Sequence, residues 1–250
     1  MASNTTVALI TGGNKGIGLE TARQLAAKGA AVIVGARDKA KGEAAAAELR
    51  KGGADAHAVV LDVTDGDTLG PAARFIEQKW GRLDVLVNNA GISRARDAGG
   101  GDADGPPSIV SQRVLREVFD TNFFGLVAAT QAFLPLVRKS AAGRVVNLSS
   151  ILGSMAKHQD PKSPIYGYLV TAYNTSKAAV NMYTVQLAHE LRDTPIKVNA
   201  VHPGWVKTDM GGPEAPMNLV DGARTSVAMA TLGADGPTGG YFHMGERLPW

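Results

Sequence analysis

Residues 11–18 read Thr11-Gly12-Gly13-Asn14-Lys15-Gly16-Ile17-Gly18 and are the clearest indication of the fold. It lies between an apolar run at 7–11, which predicts a strand, and a helical pattern from about 16 to 28. A glycine-rich turn between the first strand and the first helix of a parallel sheet is a pyrophosphate site, because the helix N-terminus offers free N–H groups and a favourable dipole. The spacing is G-x-x-x-G-x-G rather than the common G-x-G-x-x-G. We therefore predict dinucleotide binding at this turn.

Strand and helix patterns alternate along the rest of the chain. The further predicted strands are 31–35, 56–61, 83–88, 144–148, 196–201 and a short one near Tyr241. The further predicted helices are 39–51, a helix from a Thr64–Asp67 capping box to Trp80, 109–139, 172–192 and 218–232. This alternation predicts an α/β fold, a single doubly wound Rossmann-type domain over residues 1–250 with a mostly parallel sheet flanked by helices. The Gly- and Pro-rich segment 93–108 is predicted to be a mobile surface loop.

The composition excludes several classes of protein. The 250 residues are 44% hydrophobic and 20% charged, which is typical of a globular protein and argues against disorder. There is no cysteine, so disulfides, thiol nucleophiles and cysteine-ligated metal centres are excluded. The five histidines have no metal-ligand spacing, and no metal site is expected. The net charge of +3 is scattered without a basic stripe, so no nucleic-acid partner is expected.

No segment has the character of a membrane anchor. The longest uncharged stretch, 121–137, is interrupted by Asn122, Gln131 and Pro135 and lacks the roughly 20 apolar residues of a membrane span. The N-terminal residues are too few and too polar for a signal peptide. We therefore expect a soluble protein of the cytoplasm.

The residues after the second predicted strand indicate the cofactor. An NAD enzyme of this fold carries an acidic residue there, which binds the ribose 2′-hydroxyl. This chain has Ala36 and Arg37 instead, and a guanidinium suits a 2′-phosphate, with Lys15 able to assist. The alternative is that Arg37 only opens a solvated helix beside Asp38. We predict NADP(H) as the cofactor.

Tyr173 is the one tyrosine of five that has a lysine four residues later, at Lys177. Positions i and i+4 share a helix face, and a neighbouring ammonium favours ionisation of a phenol, whose free pKa is about 10. Such a tyrosine can act as a general acid or base toward a substrate oxygen. Chance alone can produce one such pair, so the pair needs support from elsewhere in the sequence.

Other landmarks accompany the pair in order along the chain. They are Thr11–Gly18, Asp62, Asn88-Asn89-Ala90-Gly91, Asn122, Ser149-Ser150, Tyr173-Asn174-Thr175-Ser176-Lys177, and Pro203-Gly204 with Thr208. With these landmarks the chain resembles the short-chain dehydrogenase/reductase family over nearly its whole length. Its opening turn and its C-terminal end are similar to those of the NADPH-dependent carbonyl reductases within that family. Each landmark by itself has a plainer alternative, such as a turn residue or a side chain bonded to backbone.

The resemblance implies a catalytic tetrad of Asn122, Ser150, Tyr173 and Lys177. Tyr173 would exchange a proton with the substrate oxygen, and Lys177 would lower the pKa of Tyr173 and bind the nicotinamide ribose. Ser150 would hold the carbonyl oxygen, and Asn122 would anchor a water. The candidate cofactor contacts, from the glycine-rich turn and from the resemblance together, are Gly12, Asn14, Lys15, Gly16, Ile17, Gly18, Arg37, Asp62, Val63, Asn89, Gly91, Tyr173, Lys177, Pro203, Gly204, Val206 and Thr208.

Two further regions of the sequence concern the substrate pocket and the oligomeric state. The candidate residues of the pocket rim are Ile92, Ile151, Tyr166, Trp205 and Met210, and packing is the alternative for Trp205. The interval from Ser150 to Tyr173 is 23 positions, longer than in most of the family. We hypothesise that this extra stretch packs across the helix face used for subunit pairing and favours a monomer, with a dimer or tetramer as the alternative.

The implied function is reversible, NADPH-dependent reduction of ketones or aldehydes to alcohols. One alternative is a ketoreductase for 3-oxoacyl or polyketide substrates linked to a carrier protein or CoA. Another is an NADPH-binding sensor without catalysis, which would have no need of Tyr173 and Lys177. The physiological substrate and the stereochemistry of the product are not encoded in any of these motifs.

Overall fold

The computed structural model describes residues 5–95 and 103–250. Its strands are β1 Val7–Thr11, β2 Ala31–Ala36, β3 Ala56–Val60, β4 Val85–Asn88, β5 Arg144–Leu148, β6 Lys197–Val201, β7 Tyr241–His243 and β8 Glu246–Arg247. Its α-helices are α1 Gly16–Ala27, α2 Lys39–Lys51, α3 Gly66–Trp80, α4 Gln112–Phe119, α5 Gly125–Val137, α6 Met155–Gln159, α7 Thr171–Glu190 and α8 Leu219–Ala230. A π-helical turn, Asp120–Phe124, joins α4 to α5, and a 3₁₀ turn, Ile151–Gly153, precedes α6.

One sheet holds all of these strands in the order β3-β2-β1-β4-β5-β6-β7-β8. Every neighbouring pair is parallel except β7 and β8, which are antiparallel. The chain runs outward from β1 in both directions, so the order reverses between β1 and β4. Ligands of doubly wound sheets bind at the carboxyl ends of the strands beside such a reversal. The predicted α/β architecture is confirmed.

The sheet is buried because helices cover both of its faces. β1 is buried at every position, and its side chains alternate between two apolar cores. Leu9 faces the core that contains Phe133 of α5, whereas Ile10 faces the core that contains Leu25 of α1. Burying each such side chain contributes roughly 1.5–3 kcal/mol to folding. The two cores hold the carboxyl ends of the strands in a fixed arrangement.

The predicted capping box at the start of α3 is wrong. The helix begins at Gly66 and its N-cap is Asp65, whose side chain accepts a hydrogen bond from the backbone N–H of Asp67 at 3.0 Å. Thr64 instead donates its hydroxyl to Asp62 at 2.8 Å. A carboxylate directly before the helix is as good a cap as threonine, and it leaves Thr64 free to bind Asp62.

The predicted single helix over 109–139 is also wrong in part. Ser111 caps α4 by accepting from the N–H of Val114 at 3.2 Å, and the π turn then interrupts the helix after Phe119. The short elements α6 and β8 have no counterpart in the prediction. Of the predicted loop 93–108, residues 96–102 lie outside the described part of the chain. Within residues 5–95 and 103–250, no helix is both long and apolar enough to cross a membrane.

Candidate active site

The glycine-rich turn leaves the N-terminus of α1 open. Gly12 and Gly16 have φ angles of +62° and +56°, which favour glycine because a side chain would strain this backbone. Side chains cap the first turns of α2, α3, α4 and α8, whereas α1 begins after Lys15 without a side-chain cap from any described residue. The free N–H groups of this first turn therefore remain available to an anion such as pyrophosphate.

Asn89 fixes the turn to the end of β4. Its Nδ2 donates to the carbonyl oxygens of Thr11 and Gly12 at 2.9 and 3.1 Å, while its own N–H donates to Oγ1 of Thr11 at 3.0 Å. A Cβ placed on Gly18 would lie 2.5 Å from Nδ2 of Asn89 and 2.6 Å from the oxygen of Gly12. Only glycine fits at position 18, and the side-chain amide nitrogen of Asn89 is engaged in holding the turn.

The residues predicted to line the adenosine side lie after β2 and β3. The carboxylate of Asp62 accepts from the N–H and the hydroxyl of Thr64 at 2.9 and 2.8 Å, which fixes it beyond β3. Val63 is buried against α5, since a Cβ on Gly125 would lie 2.7 Å from one of its methyl groups. Arg37 is exposed directly after β2, and Asp38 turns away from it to cap α2. That hydrogen bond from the N–H of Lys41 lowers the pKa of Asp38.

Lys15 forms an ion pair with Asp209. Its Nζ lies 2.6 Å from the carboxylate of Asp209, and this contact lowers the pKa of Asp209. Both side chains are exposed, and an exposed ion pair of this kind contributes little free energy, so Lys15 can exchange Asp209 for a more strongly bound anion. Thr208, the neighbour of Asp209, lies beside the glycine-rich turn, since its methyl group would be 3.6 Å from a Cβ on Gly16.

Tyr173, Lys177 and Ser150 come together between α7 and the end of β5. Nζ of Lys177 donates to the carbonyl oxygen of Leu148 at 2.7 Å and lies 5.7 Å from the centre of the Tyr173 ring. The side chain of Ser150 lies near the Tyr173 hydroxyl and acts to lower the pKa of that phenol. The oxygen of Ser150 also accepts from the N–H of Leu152 at 3.3 Å. The spacing of four residues on one helix, predicted from the sequence, is what brings Lys177 beneath Tyr173.

Asn122 lies in the π turn and is completely buried. Its Oδ1 accepts from the N–H of Ile92 at 2.8 Å, and its Nδ2 donates to the oxygen of Ile92 at 2.9 Å and to Ser176 at 3.1 Å. These bonds to the Ile92 backbone correspond to the plainer alternative for Asn122, a side chain bonded to backbone. It also holds the chain after β4 against α7, where a Cβ on Gly91 would lie 3.3 Å from Asn122 and 3.6 Å from Nζ of Lys177.

The protonation states of Tyr173 and Lys177 follow from burial. Desolvation raises the pKa of Tyr173 to about 12, against the opposing effect of the Ser150 side chain. Desolvation lowers the pKa of Lys177 to about 8. Burial at the hydroxyl outweighs the expected lowering of the phenol pKa by the Lys177 ammonium, whose Nζ bonds to the Leu148 carbonyl. At neutral pH Tyr173 carries its proton and Lys177 is largely charged.

The turn after β6 faces the glycine-rich turn. Gly204 has a φ of +94°, and Val206 is buried and forms a bridge with Met217. Thr208 accepts from the N–H of Gly211 at 2.9 Å and donates to the carbonyl of Val206 at 3.3 Å. The predicted residues of this segment, from Pro203 to Thr208, therefore form a compact turn at the site.

His202 connects two turns of the candidate site, and the sequence reasoning missed it because the histidines were considered only as metal ligands. Its Nδ1 accepts from the N–H groups of Ile151 and Gly204 at 3.2 and 3.4 Å. Burial and the neighbouring His243, whose ring centre is 4.7 Å away, lower the pKa of His202 to about 3. A neutral imidazole thus joins the turn after Ser150 to the turn that starts at Pro203. The available signal was the position of His202 directly before Pro203-Gly204.

The residues predicted for the substrate rim differ in exposure. Tyr166, Trp205 and Met210 are 49%, 52% and 44% exposed, which argues against packing for Trp205. The indole N–H of Trp205 donates to the carbonyl of Gly211 at 2.8 Å. Ile92 and Ile151 are partly buried, and Ile92 packs against an apolar cluster of α4 and α7.

Among the described ranges, no three potential ligand side chains are grouped to hold a metal ion.

A family model described as short chain dehydrogenase matches residues 6–218 of the chain. The chain belongs to this family. It is 34% identical to carbonyl reductase [NADPH] 1 of Sus scrofa, over 100% of this chain and 96% of the relative. It is 30% identical to (+)-neomenthol dehydrogenase of Capsicum annuum, over 98% and 97% of the two chains. The crystal structure of NADPH-bound carbonyl reductase from chicken fatty liver superposes with a TM-score of 0.80 at 29% identity, covering 98% of both chains.

Proposed function

We propose that the chain is an NADPH-dependent carbonyl reductase that converts ketones or aldehydes to alcohols and catalyses the reverse reaction with an alcohol and NADP⁺. The observation that carries the proposal is a protonated Tyr173 beside Ser150 and Lys177, at the same edge of the sheet as an uncapped glycine-rich turn. A proton donor beside a dinucleotide site is what carbonyl reduction requires. The names of the carbonyl reductases among its relatives support the same reaction.

The protein's part in the reaction is to hold and protonate the carbonyl oxygen. NADPH supplies the hydride when it is bound. The side chain of Ser150 lies near the Tyr173 hydroxyl, so both hydroxyls could hydrogen-bond an oxygen placed between them. Tyr173 then transfers its proton to that oxygen, and the nearby Lys177 ammonium stabilises the resulting phenolate. Asn122 fixes the backbone at Ile92, which closes the site against α7.

Different parts of the sheet edge would hold the parts of the cofactor. The turn from Gly12 to Gly18, with Asn14 and Ile17, would bind the pyrophosphate at the N-terminus of α1. Asp62 and Val63 would meet the adenine, and Asn89 and Gly91 would line the adenosine side. Lys177 would hydrogen-bond the nicotinamide ribose, while Pro203, Gly204, Val206 and Thr208 would hold the carboxamide. The fit is supported by the close approach that Gly18 and Gly16 allow.

The preference for NADPH over NADH rests on Arg37 and Lys15. Arg37 is exposed after β2, where an acidic residue would favour a free 2′-hydroxyl, and Asp38 is engaged at the start of α2. Lys15 would leave its exposed pair with Asp209 to reach a phosphate. Two cations converging on a doubly charged group favour NADPH.

The test is the loss of NADPH absorbance with a panel of ketones, aldehydes and diketones, for the wild type and for Tyr173→Phe. Turnover by the wild type and at least a hundredfold less by Tyr173→Phe, with equal NADPH binding, is the expected result. Tyr183→Phe is a matched control on the same helix, and it should keep full activity. Binding of NADPH without turnover of any panel member would favour the sensor, and turnover only of 3-oxoacyl thioesters would favour the ketoreductase.

We also propose a single domain, a monomeric state and a cytoplasmic location. The described strands form one sheet, and the glycine-rich turn after β1 and the Ser150 turn after β5 both follow strands of that sheet, which supports a single domain. The inserted stretch contacts the first turns of α7, where Asn174 donates to the Tyr168 carbonyl at 2.8 Å, whereas Met182 further along α7 is exposed. A monomer remains our proposal, and a stable dimer or tetramer in sedimentation would contradict it. Location in the cytoplasm also stays a prediction.

A further inference from the structure

The helix that carries Tyr173 and Lys177 has no cap of its own. Val170 occupies the N-cap position of α7 and has no polar side chain, so the first N–H groups of the helix need partners from elsewhere. α2, α3, α4 and α8 obtain such a partner from a residue directly before the helix. The first turn of α7 contains Tyr173, so its partners bear directly on the position of the phenol.

Asp104 provides the missing cap from 68 residues upstream. One of its carboxylate oxygens accepts from the N–H of Ala172 at 2.9 Å, and the other accepts from the N–H of Tyr173 at 2.8 Å. The neighbouring carbonyl of Gly105 accepts from the N–H of Thr171 at 3.1 Å. Three successive N–H groups of the first turn are therefore bound by two adjacent residues of a distant loop. Hydrogen bonds to a carboxylate are stronger than neutral ones.

The loop around Asp104 is itself anchored. The N–H of Asp104 donates to the carbonyl of Arg94 at 3.0 Å, and the Arg94 side chain forms an ion pair with Glu117 of α4. Asp104 is only 7% exposed. A carboxylate buried to this extent is stable only if its oxygens are hydrogen-bonded. Losing the contact to α7 would therefore leave both the Asp104 carboxylate and the N–H groups of α7 without partners, at a cost in free energy.

The rest of the site is fixed independently of Asp104. The oxygen of Leu148 holds Lys177, and Asn122 holds Ser176, one turn beyond Tyr173. Loss of the Asp104 carboxylate would therefore loosen the turn that contains Tyr173 while Lys177 and the cofactor turn stay in place. The backbone of Tyr173 would move relative to Ser150, which belongs to a different element.

We propose that Asp104 is a positioning residue for the reaction: its carboxylate anchors the first turn of α7 through the N–H of Tyr173 and so sets the distance between the Tyr173 hydroxyl and the oxygen held by Ser150. This inference rests on the proposed function. A displacement of a catalytic group by about 1 Å can cost a hundredfold in rate. The alternative is that Asp104 stabilises the fold without affecting proton transfer.

The test compares Asp104→Ala and Asp104→Asn with Asp65→Asn, which alters the cap of α3 in the same chemical way. For Asp104→Ala we expect kcat to fall by about ten- to a hundredfold, with the dissociation constant for NADPH changed less than about threefold. Asp104→Asn keeps one acceptor oxygen and should recover part of kcat. Asp65→Asn should lower the thermal midpoint and leave kcat at saturating NADPH unchanged. If Asp104→Ala does not fold, Asp104→Asn decides the question.

Amide hydrogen exchange of Ala172 and Tyr173 gives a readout that needs no substrate. We expect Asp104→Asn and Asp104→Ala to lose protection at these two amides while those of Val180 and Asn181 stay protected. Unchanged protection, or a lower thermal midpoint with wild-type kcat, would overturn the proposal. A wild type that reduces no carbonyl, combined with lost protection in the variants, would instead refute the proposed function and leave the anchoring of Tyr173 standing.

Discussion

Replacing Gly18 by alanine tests the cofactor turn where the geometry is tightest. The new Cβ would lie 2.5 Å from Nδ2 of Asn89 and 2.6 Å from the carbonyl oxygen of Gly12. Neither distance is tolerable, so the Asn89 side chain must leave its place or the turn must open. Because Nδ2 binds both Thr11 and Gly12, either movement breaks the connection between the turn and β4.

The expected loss of stability follows from the hydrogen bonds that are broken and the carbon atom that is added. Two hydrogen bonds contribute about 0.5–1.5 kcal/mol each, and forcing an extra carbon into a packed site costs typically 1–3 kcal/mol. The free energy of unfolding should fall by roughly 2–6 kcal/mol if both effects act in full. A displaced turn also loses its fit to a pyrophosphate, and a loss of about 1.4 kcal/mol in binding already weakens the affinity for NADPH tenfold.

The assay combines urea unfolding with titration of NADPH fluorescence. Gly66→Ala is the control, since a Cβ at this first residue of α3 would meet no atom within 4 Å. The control should change the stability by less than about 0.5 kcal/mol and leave NADPH binding unchanged. A Gly18→Ala protein with wild-type stability and wild-type affinity for NADPH would refute the geometry of the turn.

Three further predictions concern the cofactor, the pH profile and the connection between the site turns. Arg37→Asp should raise KM for NADPH at least tenfold and change KM for NADH little, as the ratio of kcat/KM values for the two cofactors will show; an unchanged ratio would assign the 2′-phosphate elsewhere. Burial lowers the pKa of Lys177 to about 8, so the ammonium is present below that pH and lost above it, and kcat/KM for reduction should fall as the pH rises through 8; a flat profile between pH 7 and 10 would contradict this. His202→Leu removes the acceptor shared by Ile151 and Gly204 and should lower kcat roughly tenfold, whereas His202→Gln retains an acceptor and should lose less; equal rates would show that the imidazole only fills space.

The sequence was most informative where local chemistry and position coincide. The strand at β1, the helix at α2 and the strand at β5 have the predicted bounds, because apolar runs and helical periodicity depend only on neighbouring residues. The pairing of Tyr173 with Lys177 followed from the helical spacing alone. The glycine at position 18 was predicted as part of a phosphate turn, and the structure adds the Asn89 contact that makes it indispensable.

The features that the sequence did not reveal depend on distant contacts. The π turn around Asn122 leaves the apolar pattern of the helix unchanged, so a single long helix was the natural prediction. Asp104 stands in a Gly- and Pro-rich segment and meets α7 across 68 residues of chain. The pKa of Tyr173 was predicted from its neighbour Lys177, but burial decides it. Such effects need the three-dimensional structure because they arise from residues that are far apart in sequence.

Transfer of a hydride from NADPH to a carbonyl carbon is the reaction that we propose for this chain. It is tested most directly with NADPH that carries deuterium at the transferable position, a ketone that the absorbance panel has selected, and mass spectrometry of the product. We expect an alcohol with one deuterium on the former carbonyl carbon, formed by the wild type and at least a hundredfold more slowly by Tyr173→Phe. An unlabelled alcohol, or equal rates for the two proteins, would contradict it.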